Sequence, residues 1–357
     1  MASLTGLFRR NPVGRAAAAP DAPDLGWAVP LFASKLAPRQ LGPQGQVLVW
    51  GISEDTSKAS ISEQFKSNAG DYHQRYAASD HFQGLFRQAL DATGIAVADA
   101  PLILDLGSGS GVNSIVPCQR LFPGARMVAT DLSGELLELL ALYLAGTGAA
   151  DTVVCVMMDA MSAHVKPGQF DLVTGASILH HLERPRAGLA AAARALRPGG
   201  HAIFFEPFSG FAILRLAYER ILAEADLRGD PLDPVVATAL LGIVTDIAAR
   251  SAPDPKAAGF AAMDDKWLFA RGHIEKAAMA EGFTSVRFVP HNDHPRLYRD
   301  TTDVQLRLVT NRTDLALPDW ALAILDSYDA AMSLQAKREL MLEGTIVLTK
   351  GDRPAAA

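Results

Sequence analysis

The stretch "LILDLGSGSGVNSIV", residues 102–116, sets three glycines at every second position behind an apolar run that contains Asp105. A tight turn needs one glycine for a positive φ and a second for spacing. A third glycine indicates that a bound molecule comes close to the backbone. Gly107, Gly109 and Gly111 therefore predict a ligand-binding turn between a buried strand and a helix.

Short apolar runs alternate with helical patterns from residue 102 up to Pro207. This alternation predicts βαβ units and a parallel sheet, whose buried strands need not show polar alternation. Right-handed crossovers then place helices on both faces of the sheet. The fold class is therefore α/β, doubly wound and mostly parallel, and the alternation resumes after an apolar helical interruption.

The chain divides into five predicted segments. They are 1–60, a tail with an isolated strand at 46–52; 61–100, a helical lid; 101–206, the core that carries the ligand-binding turn; 207–271, a helical insert over the ligand site; and 272–357, the C-terminal part of the sheet with a second, irregular insert at 291–342.

Composition limits the kind of protein this is. A chain of 357 residues with 49% hydrophobic side chains is long enough for one large α/β domain with insertions. The 33 basic and 39 acidic residues give a net charge of −6, which argues against nucleic acid as a partner. A small-molecule substrate is the expected partner, and the oligomeric state is left open between monomer and homodimer.

Two cysteines, Cys118 and Cys155, lie in apolar segments and lack metal-ligand spacing. They predict buried thiols in a reducing, cytoplasmic compartment. The apolar stretch "GFAILRLAYERILAEA" is interrupted by charges, and we predict no transmembrane segment. The first twenty residues carry arginines and no acid, and they predict an unstructured arm in preference to a targeting signal.

Acids at three successive strand ends identify the type of ligand. Asp131 ends "ATD" about twenty residues after the glycines, where an acid accepts the hydroxyls of a ribose. Asp159 ends "MMD", where it is placed to accept an adenine amino group, and Asp105 is placed to receive an ammonium group. These acids suit an adenosyl group that carries an amino acid. They suit the diphosphate of a dinucleotide poorly, because like charges would face each other.

At this point the sequence resembles the class I S-adenosylmethionine-dependent methyltransferases. The resemblance rests on "LDLGSGSG", "ATDLS", "MMDA", "FDLVTGASILHHL" and "LRPGGHAIFFEP", in the family's order and spacing over residues 102–207. It implies a Rossmann-like sheet of seven strands, with the final "GTIVLTK" as an antiparallel strand between strands five and six. It also implies S-adenosylmethionine as the cofactor.

The resemblance carries cofactor contacts to particular positions. Residues of the glycine turn hold the methionine part, Asp131 with Leu132 holds the ribose, and Ser177 passes close to the cofactor. The complete predicted set is Asp105, Gly107, Ser108, Gly109, Gly111, Asp131, Leu132, Asp159, Ala160 and Ser177.

Catalytic candidates follow the fourth and fifth strands. His180 and His181 lie in "ASILHHLERP", and Glu206 ends "FFEP". A base is needed only if the acceptor starts protonated, as a hydroxyl does. Each histidine is otherwise a packing residue, and Glu206 either points into the cleft or caps backbone N–H groups.

Substrate candidates come from outside these strands. Tyr72 and Tyr76, in the lid segment, and Lys266 and Trp267, in "MDDKWLF", are the predicted substrate contacts. The alternative for the second pair is a latch that fixes the insert to the sheet, and the alternative for the tyrosines is core packing. The "PHNDHP" loop with His291, Asp293 and His294 is interpreted as loop polarity, and no metal site is predicted.

The sequence thus predicts methyl transfer to a small molecule, a lipid or a saccharide precursor, with oxygen as the preferred acceptor atom. Two alternatives stay open. One is an NAD(P)-dependent oxidoreductase, and the other is a non-catalytic cofactor-binding module of the same fold.

Overall fold

The computed structural model describes residues 26–42, 47–52, 80–162 and 164–351. The N-terminal arm, most of the predicted lid segment, and Tyr72 and Tyr76 lie outside the described residues. The predictions made for them are therefore not tested.

Nine strands of the described residues form one sheet, in the order β1-β2-β5-β4-β3-β6-β7-β9-β8. The strands are β1 Leu36–Leu41, β2 Val47–Ile52, β3 Leu102–Leu106, β4 Arg126–Asp131, β5 Val153–Met157, β6 Phe170–Ala176, β7 Leu196–Pro207, β8 Phe283–Pro290 and β9 Glu343–Lys350.

Strands β2 to β7 pair in parallel, whereas β9 runs antiparallel between β7 and β8. This confirms the mostly parallel fold and the position of the last strand. The predicted number of seven strands is wrong, because β1 and β2 form an antiparallel pair that extends the edge beside β5. The strand predicted within 46–52 is therefore part of the sheet, over the described residues Val47–Ile52, and not isolated.

Ten α-helices lie in the described part of the chain. They are α1 His81–Thr93, α2 Ile115–Leu121, α3 Gly134–Thr147, α4 Pro185–Ala195, α5 Phe211–Leu227, α6 Pro234–Ser251, α7 Arg271–Ala280, α8 Leu297–Thr310, α9 Asp319–Ala331 and α10 Leu334–Glu339.

The sheet separates two hydrophobic cores because successive strand residues point to opposite faces. Leu104 of β3 packs on the face covered by α4 and α7, and its neighbour Ile103 packs on the face covered by α1, α2 and α3. The continuous apolar character of "LILDL" follows from this two-sided burial. The C-terminal ends of the parallel strands lie together between these cores at one edge of the sheet, the carboxyl edge.

A third core joins the two inserts. Buried side chains of α5 and α6 pack with those of α8 and α9. Tyr218 of α5 donates its hydroxyl proton toward Gln305 Oε1 of α8 at 2.7 Å. The insert at 291–342 was predicted to be irregular, and this is wrong: it contains α8, α9 and α10. The apolar residues of these helices pack on the other insert and not on the sheet.

One described helix, α6, is long and apolar enough by length and composition to cross a membrane, with 18 residues and a mean hydropathy of 1.3. The sequence-based prediction of no transmembrane segment rested on the neighbouring stretch of α5 and not on α6. Its apolar face contributes Val236, Leu240, Ile243 and Ile247 to the third core. Core helices of soluble proteins pass the same test, so this property alone identifies no membrane span.

Candidate active site

The glycine turn after β3 takes the backbone through three left-handed residues. Gly107, Gly109 and Gly111 have φ values of 69°, 53° and 81°, a region that other residues rarely adopt. A Cβ on Gly107 would lie 2.5 Å from Ile178 Cδ1, and one on Gly111 would lie 2.5 Å from a Leu140 methyl. The absence of a side chain at these two positions therefore leaves room for Ile178 and Leu140 of the protein itself.

Gly109 differs, because a Cβ there would meet only Leu136, at an ordinary 3.7 Å. Gly107 and Gly109 are half-buried, whereas Ser108 and Ser110 between and beside them are buried. At the carboxyl edge, the backbone of Gly107 and Gly109 is therefore partly exposed and is not covered by side chains of its own. The predicted close approach of a ligand concerns Gly109 above all.

Asp105 lies beneath this turn and is fully buried. Its carboxylate accepts hydrogen bonds from Ser114 Oγ at 2.5 Å and from Thr174 Oγ1 at 2.6 Å. Burial raises the pKa of Asp105 to about 6, even though these hydroxyls favour the charged form. In this conformation Asp105 ties β3 to β6 and to the start of α2, and its predicted contact with an ammonium group stays a prediction.

Asp131 ends β4 and binds the glycine turn directly. Its Oδ2 accepts the Gly109 N–H at 2.8 Å, and its Oδ1 accepts the Ser133 N–H at 2.8 Å. Burial raises the pKa of Asp131, against the opposing effect of these hydrogen bonds. The side chain is half-buried at the carboxyl edge beside Leu132. The carboxylate is thereby oriented next to the exposed backbone of the turn.

The third acid lies at the next strand end. Asp159 follows β5, is half-buried, and accepts the Met161 N–H at 2.8 Å. Ala160 beside it is buried in the core. Asp159 and Ala160 thus occupy the carboxyl edge next to Asp131, as the resemblance implies.

Ser177 follows β6 with φ of 63°, one of two described residues other than glycine in the left-handed region. Such a conformation costs free energy and persists only where the surroundings impose it. Its N–H donates to the Phe205 carbonyl at 3.0 Å. The adjoining Ile178 packs against Gly107, so the segment after β6 touches the glycine turn.

Glu206 caps the short helical turn Leu179–His181 and is 2% exposed. Its carboxylate accepts the backbone N–H groups of Ile178, Leu179 and His180 at 3.2, 2.8 and 3.2 Å. It also bonds His180 Nδ1 at 2.7 Å. The sequence left two alternatives for Glu206, pointing into the cleft or capping backbone N–H groups. The structure shows the second, because four contacts hold the carboxylate against this turn.

The two histidines differ in electrostatics. Burial alone lowers the pKa of His180, but the charges of Glu206 and Asp265 raise it to about 9. Burial and the neighbouring His180 lower the pKa of His181 to about 3. The ring centroids are 4.1 Å apart, so a second positive charge on His181 is unfavourable.

Asp265 and Arg250 complete this cluster, and the sequence reasoning missed both as site residues. Asp265 Oδ1 lies 3.4 Å from His180 Nε2 and 3.3 Å from His181 Nδ1, and its Oδ2 lies 3.1 Å from Arg250 Nη1. Burial favours a higher pKa for Asp265, but His180 and Arg250 hold it well below the usual range. A buried carboxylate needs such partners, yet no local pattern in the sequence pairs Asp265 with residues 85 positions away.

Lys266 and Trp267 lie in the segment that returns from α6 to the sheet. The Lys266 ammonium bonds the Met263 carbonyl, and its backbone N–H donates to the His180 carbonyl at 2.8 Å. Trp267 Nε1 donates to the Leu182 carbonyl at 2.7 Å. These contacts make the segment a latch on the turn after β6. The predicted substrate role of the two residues stays a prediction.

The "PHNDHP" loop does not gather its polar side chains. His291 Nε2 lies 3.1 Å from Thr345 Oγ1, Asp293 pairs with Arg338 at 2.6 Å, and His294 faces Asp300 at 3.7 Å. Each residue thus has a partner of its own, which agrees with the interpretation of this segment as a polar loop.

The residues at the carboxyl edge fit an adenosyl group that carries an amino acid. The turn offers bare backbone at Gly109, and Asp131 offers an oriented carboxylate beside it. The buried Ser110 Oγ has no hydrogen-bond partner. Asp131 is the predicted ribose acceptor, and Asp105 and Asp159 lie at the strand ends on either side of it. This set of acids suits a nucleoside without a diphosphate, because the acids would repel the diphosphate.

The strand order and this site together define a class: a Rossmann-like α/β domain that binds a nucleoside cofactor across its glycine turn. Residues 104–204 match the family model described as "Methyltransferase domain". This part of the chain is therefore a class I S-adenosylmethionine-dependent methyltransferase domain, and its cofactor is S-adenosylmethionine.

Curated relatives match the same region. An uncharacterised protein from Synechococcus sp. is 37% identical over 138 residues, which are 38% of this chain and 33% of the relative. A ubiquinone biosynthesis O-methyltransferase from Idiomarina loihiensis is 34% identical over 103 residues, 29% of this chain and 40% of the relative. The chain thus spans less than half the length of either relative.

Among solved structures, phosphoethanolamine N-methyltransferase 2 from Haemonchus contortus, in complex with S-adenosyl-L-methionine, has a TM-score of 0.44 and 15% identity. The likeness covers 85% of this chain and 63% of that one.

Proposed function

We propose that the whole chain transfers a methyl group from S-adenosylmethionine to an oxygen atom of a small molecule, a lipid or a saccharide precursor. The observation that carries the proposal is the bond between the Asp131 carboxylate and the Gly109 N–H, which orients a ribose acceptor beside bare backbone. The relatives named as ubiquinone biosynthesis O-methyltransferases support oxygen as the acceptor atom.

On the cofactor side, each residue binds or orients. Asp131 accepts the ribose hydroxyls, Asp159 with Ala160 flanks the adenine, and Gly107 and Gly109 leave room for the methionine part. The bound cofactor supplies a methyl group on a sulfonium, which is already an activated leaving group. The chain then needs to align the acceptor and to exclude water.

On the acceptor side, the turn after β6 is held rigid. Glu206 fixes Leu179 and His180 by their backbone N–H groups, and Asp265 reaches the same turn from the returning segment. The inserts at 207–271 and 291–342 share one core and leave the sheet at its carboxyl edge. We propose that they roof the acceptor pocket and exclude water from it.

The first experiment compares cofactors by isothermal titration of the full chain. We expect binding of S-adenosylmethionine and no binding of NAD⁺, because the acids at three neighbouring strand ends would repel a diphosphate. Binding of NAD⁺ without binding of S-adenosylmethionine would contradict the proposal in favour of an oxidoreductase.

The second experiment incubates the chain and methyl-labelled cofactor with small-molecule extracts and searches for a mass gain of one methyl group. We expect labelled products that resist hydrolysis as methyl ethers do. Tight cofactor binding with no labelled product in any extract would point to a non-catalytic module.

A further inference from the structure

Two imidazoles and a carboxylate meet at the end of β6. His180 and His181 lie on the turn Leu179–His181, and Asp265 is brought to them by the returning segment, which is held by the Lys266 N–H on the His180 carbonyl. One ligand atom from each of the three side chains lies within 4.8 Å of the others. We propose that these three residues bind one divalent cation of the zinc type.

The donor types support this choice of ion. Two imidazole nitrogens and one carboxylate oxygen are the protein ligands found at catalytic zinc sites that keep open positions. The distances from Asp265 Oδ1, 3.4 Å to His180 Nε2 and 3.3 Å to His181 Nδ1, are those between neighbouring ligands of one small cation. His181 Nδ1 also lies 2.9 Å from the Asp264 carbonyl oxygen and donates its proton to it, so binding of the ion has to replace this hydrogen bond.

The surrounding contacts orient the ligands. The Glu206 carboxylate lies 2.7 Å from His180 Nδ1, so that ring nitrogen donates to it and the ring presents Nε2 to Asp265. Ligating histidines usually have such a carboxylate or carbonyl on the second nitrogen. Arg250 Nη1 binds Asp265 Oδ2 at 3.1 Å, which leaves Oδ1 directed at the two rings. Glu206 and Arg250 are therefore positioning residues for this site.

The position of the cation indicates a substrate class, an inference that rests on the proposed function. Ile178, next to the ligands, touches Gly107 of the cofactor turn. Three protein ligands leave positions for oxygen donors, so an acidic hydroxyl such as a phenol or catechol would bind there as its anion. Its proton goes to solvent, the O–CH₃ bond forms as the S–CH₃ bond breaks, and the sulfur keeps the bonding electron pair.

The test measures the ion before any turnover. Full-length chain treated with a chelator and dialysed is titrated with Zn²⁺ by calorimetry and with Co²⁺ by visible absorption. We expect one equivalent to bind, with ligand-field bands for Co²⁺. H181Q and D265N should each weaken binding by at least about tenfold. H294Q, which changes a histidine of the "PHNDHP" loop, should leave binding unchanged.

Thermal melting of each variant shows whether it is folded. If H181Q or D265N does not fold, Glu206→Gln provides a second test of the site. E206Q keeps all three ligands and should still bind the ion, with weaker affinity. No saturable binding to the parental chain, or equal binding by parental, H181Q and D265N proteins, would overturn the metal site. Those results would leave the contacts as an ion-pair network.

The substrate class is tested separately with 4-nitrocatechol as a chromophoric probe. We expect its absorption to shift when it is added to the Co²⁺-loaded parental chain, and not with D265N. Cobalt binding without any probe shift would overturn the substrate class and keep the metal site. Methyl transfer by a chain that binds no cation would overturn the metal site and keep the proposed function.

Discussion

Asp131 shows how one side chain can organise the backbone around the proposed cofactor site. Its two oxygens each accept a backbone N–H, one from Gly109 in the turn and one from Ser133 at the start of α3. A carboxylate oxygen has room for a second hydrogen bond, so these contacts do not prevent it from accepting ribose hydroxyls. At the residue scale, the site is thus preorganised by the same bonds that stabilise the turn.

Replacing Asp131 by alanine tests this arrangement. Loss of charge-assisted hydrogen bonds costs about 1.5–3 kcal/mol, so the affinity for S-adenosylmethionine should fall at least about tenfold. Calorimetric titration of the variant measures it. Ser133→Ala is the matched control, because it removes the Ser133 Oγ cap on the Leu136 N–H of α3 and leaves the carboxylate. Unchanged affinity in D131A, or an equal loss in S133A, would contradict the assignment.

The buried Asp105 predicts a pH dependence of stability. Its folded pKa, about 6, lies above the ordinary value of 3.8, so folding favours the protonated form. Stability from this group is greatest below pH 4 and falls as the pH rises toward 6. One pKa unit corresponds to about 1.4 kcal/mol, which gives a fall of up to about 3 kcal/mol.

Denaturant unfolding from pH 4 to pH 7 checks this prediction. Asp105→Asn cannot ionise, so its stability relative to the parental chain should rise across that range. Asp91→Asn, at an exposed position of α1, should show no such trend. Parallel pH profiles for D105N and the parental chain would show that the group does not titrate in this range.

At the scale of the element, α5 depends on how closely its first turn approaches another segment. Gly210 precedes α5 with φ of −56°, so no unusual backbone conformation requires a glycine there. A Cβ at this position would overlap the carbonyl oxygens of Leu340 and Met341. Close approach alone therefore explains the residue, and it fixes where α5 leaves the sheet.

Gly210→Ala should destabilise the chain by about 3 kcal/mol, because a backbone segment has to move to admit the methyl group. Gly242→Ala is the matched control in α6, where a Cβ meets nothing within 4 Å. Alanine is the better helix former, so G242A should stabilise by roughly 0.5–1 kcal/mol. Chemical denaturation of both variants measures the difference, and a tolerated G210A would disprove the close approach.

At the scale of the whole molecule, one buried ion pair holds the second insert together. Lys337 of α10 is 1% exposed and donates to Asp329 Oδ1 of α9 at 2.7 Å. Asp329 also accepts the backbone N–H groups of Tyr298 and Arg299 at the start of α8. Three helices thus meet at one carboxylate, and these helices pack on α5 and α6 in the shared core.

Lys337→Met leaves the Asp329 carboxylate buried without its cation, and removal of one partner of a buried pair costs about 3–5 kcal/mol. We expect hydrogen exchange to increase in both inserts, 207–271 and 291–342, while the strands β3 to β7 stay protected. Arg120→Ala, which breaks the solvent-exposed pair with Asp80, should leave exchange unchanged. Faster exchange confined to α10 would show that the inserts do not act as one unit.

The sequence determined the parallel sheet, the glycine turn and the acids at the strand ends, because each is a local pattern. "LILDLGSGSG" alone specifies a buried strand, a left-handed turn and the start of a helix, and strand ends of a parallel sheet meet at one edge. Positive φ at Gly107, Gly109 and Gly111 follows from the same residues. The placement of these residues at one edge could therefore be predicted from the sequence, whereas their contacts with the cofactor stay predictions.

Only the tertiary structure decided the contacts on the proposed acceptor side. The contact of Asp265 with His180 joins residues 85 positions apart, and the packing of α5 on α8 joins two inserts. The pairing of β2 with β5, which extends the sheet to nine strands, is equally distant in sequence. Such contacts depend on which surfaces the folded sheet and helices present to each other, and no periodicity or spacing within one segment records that.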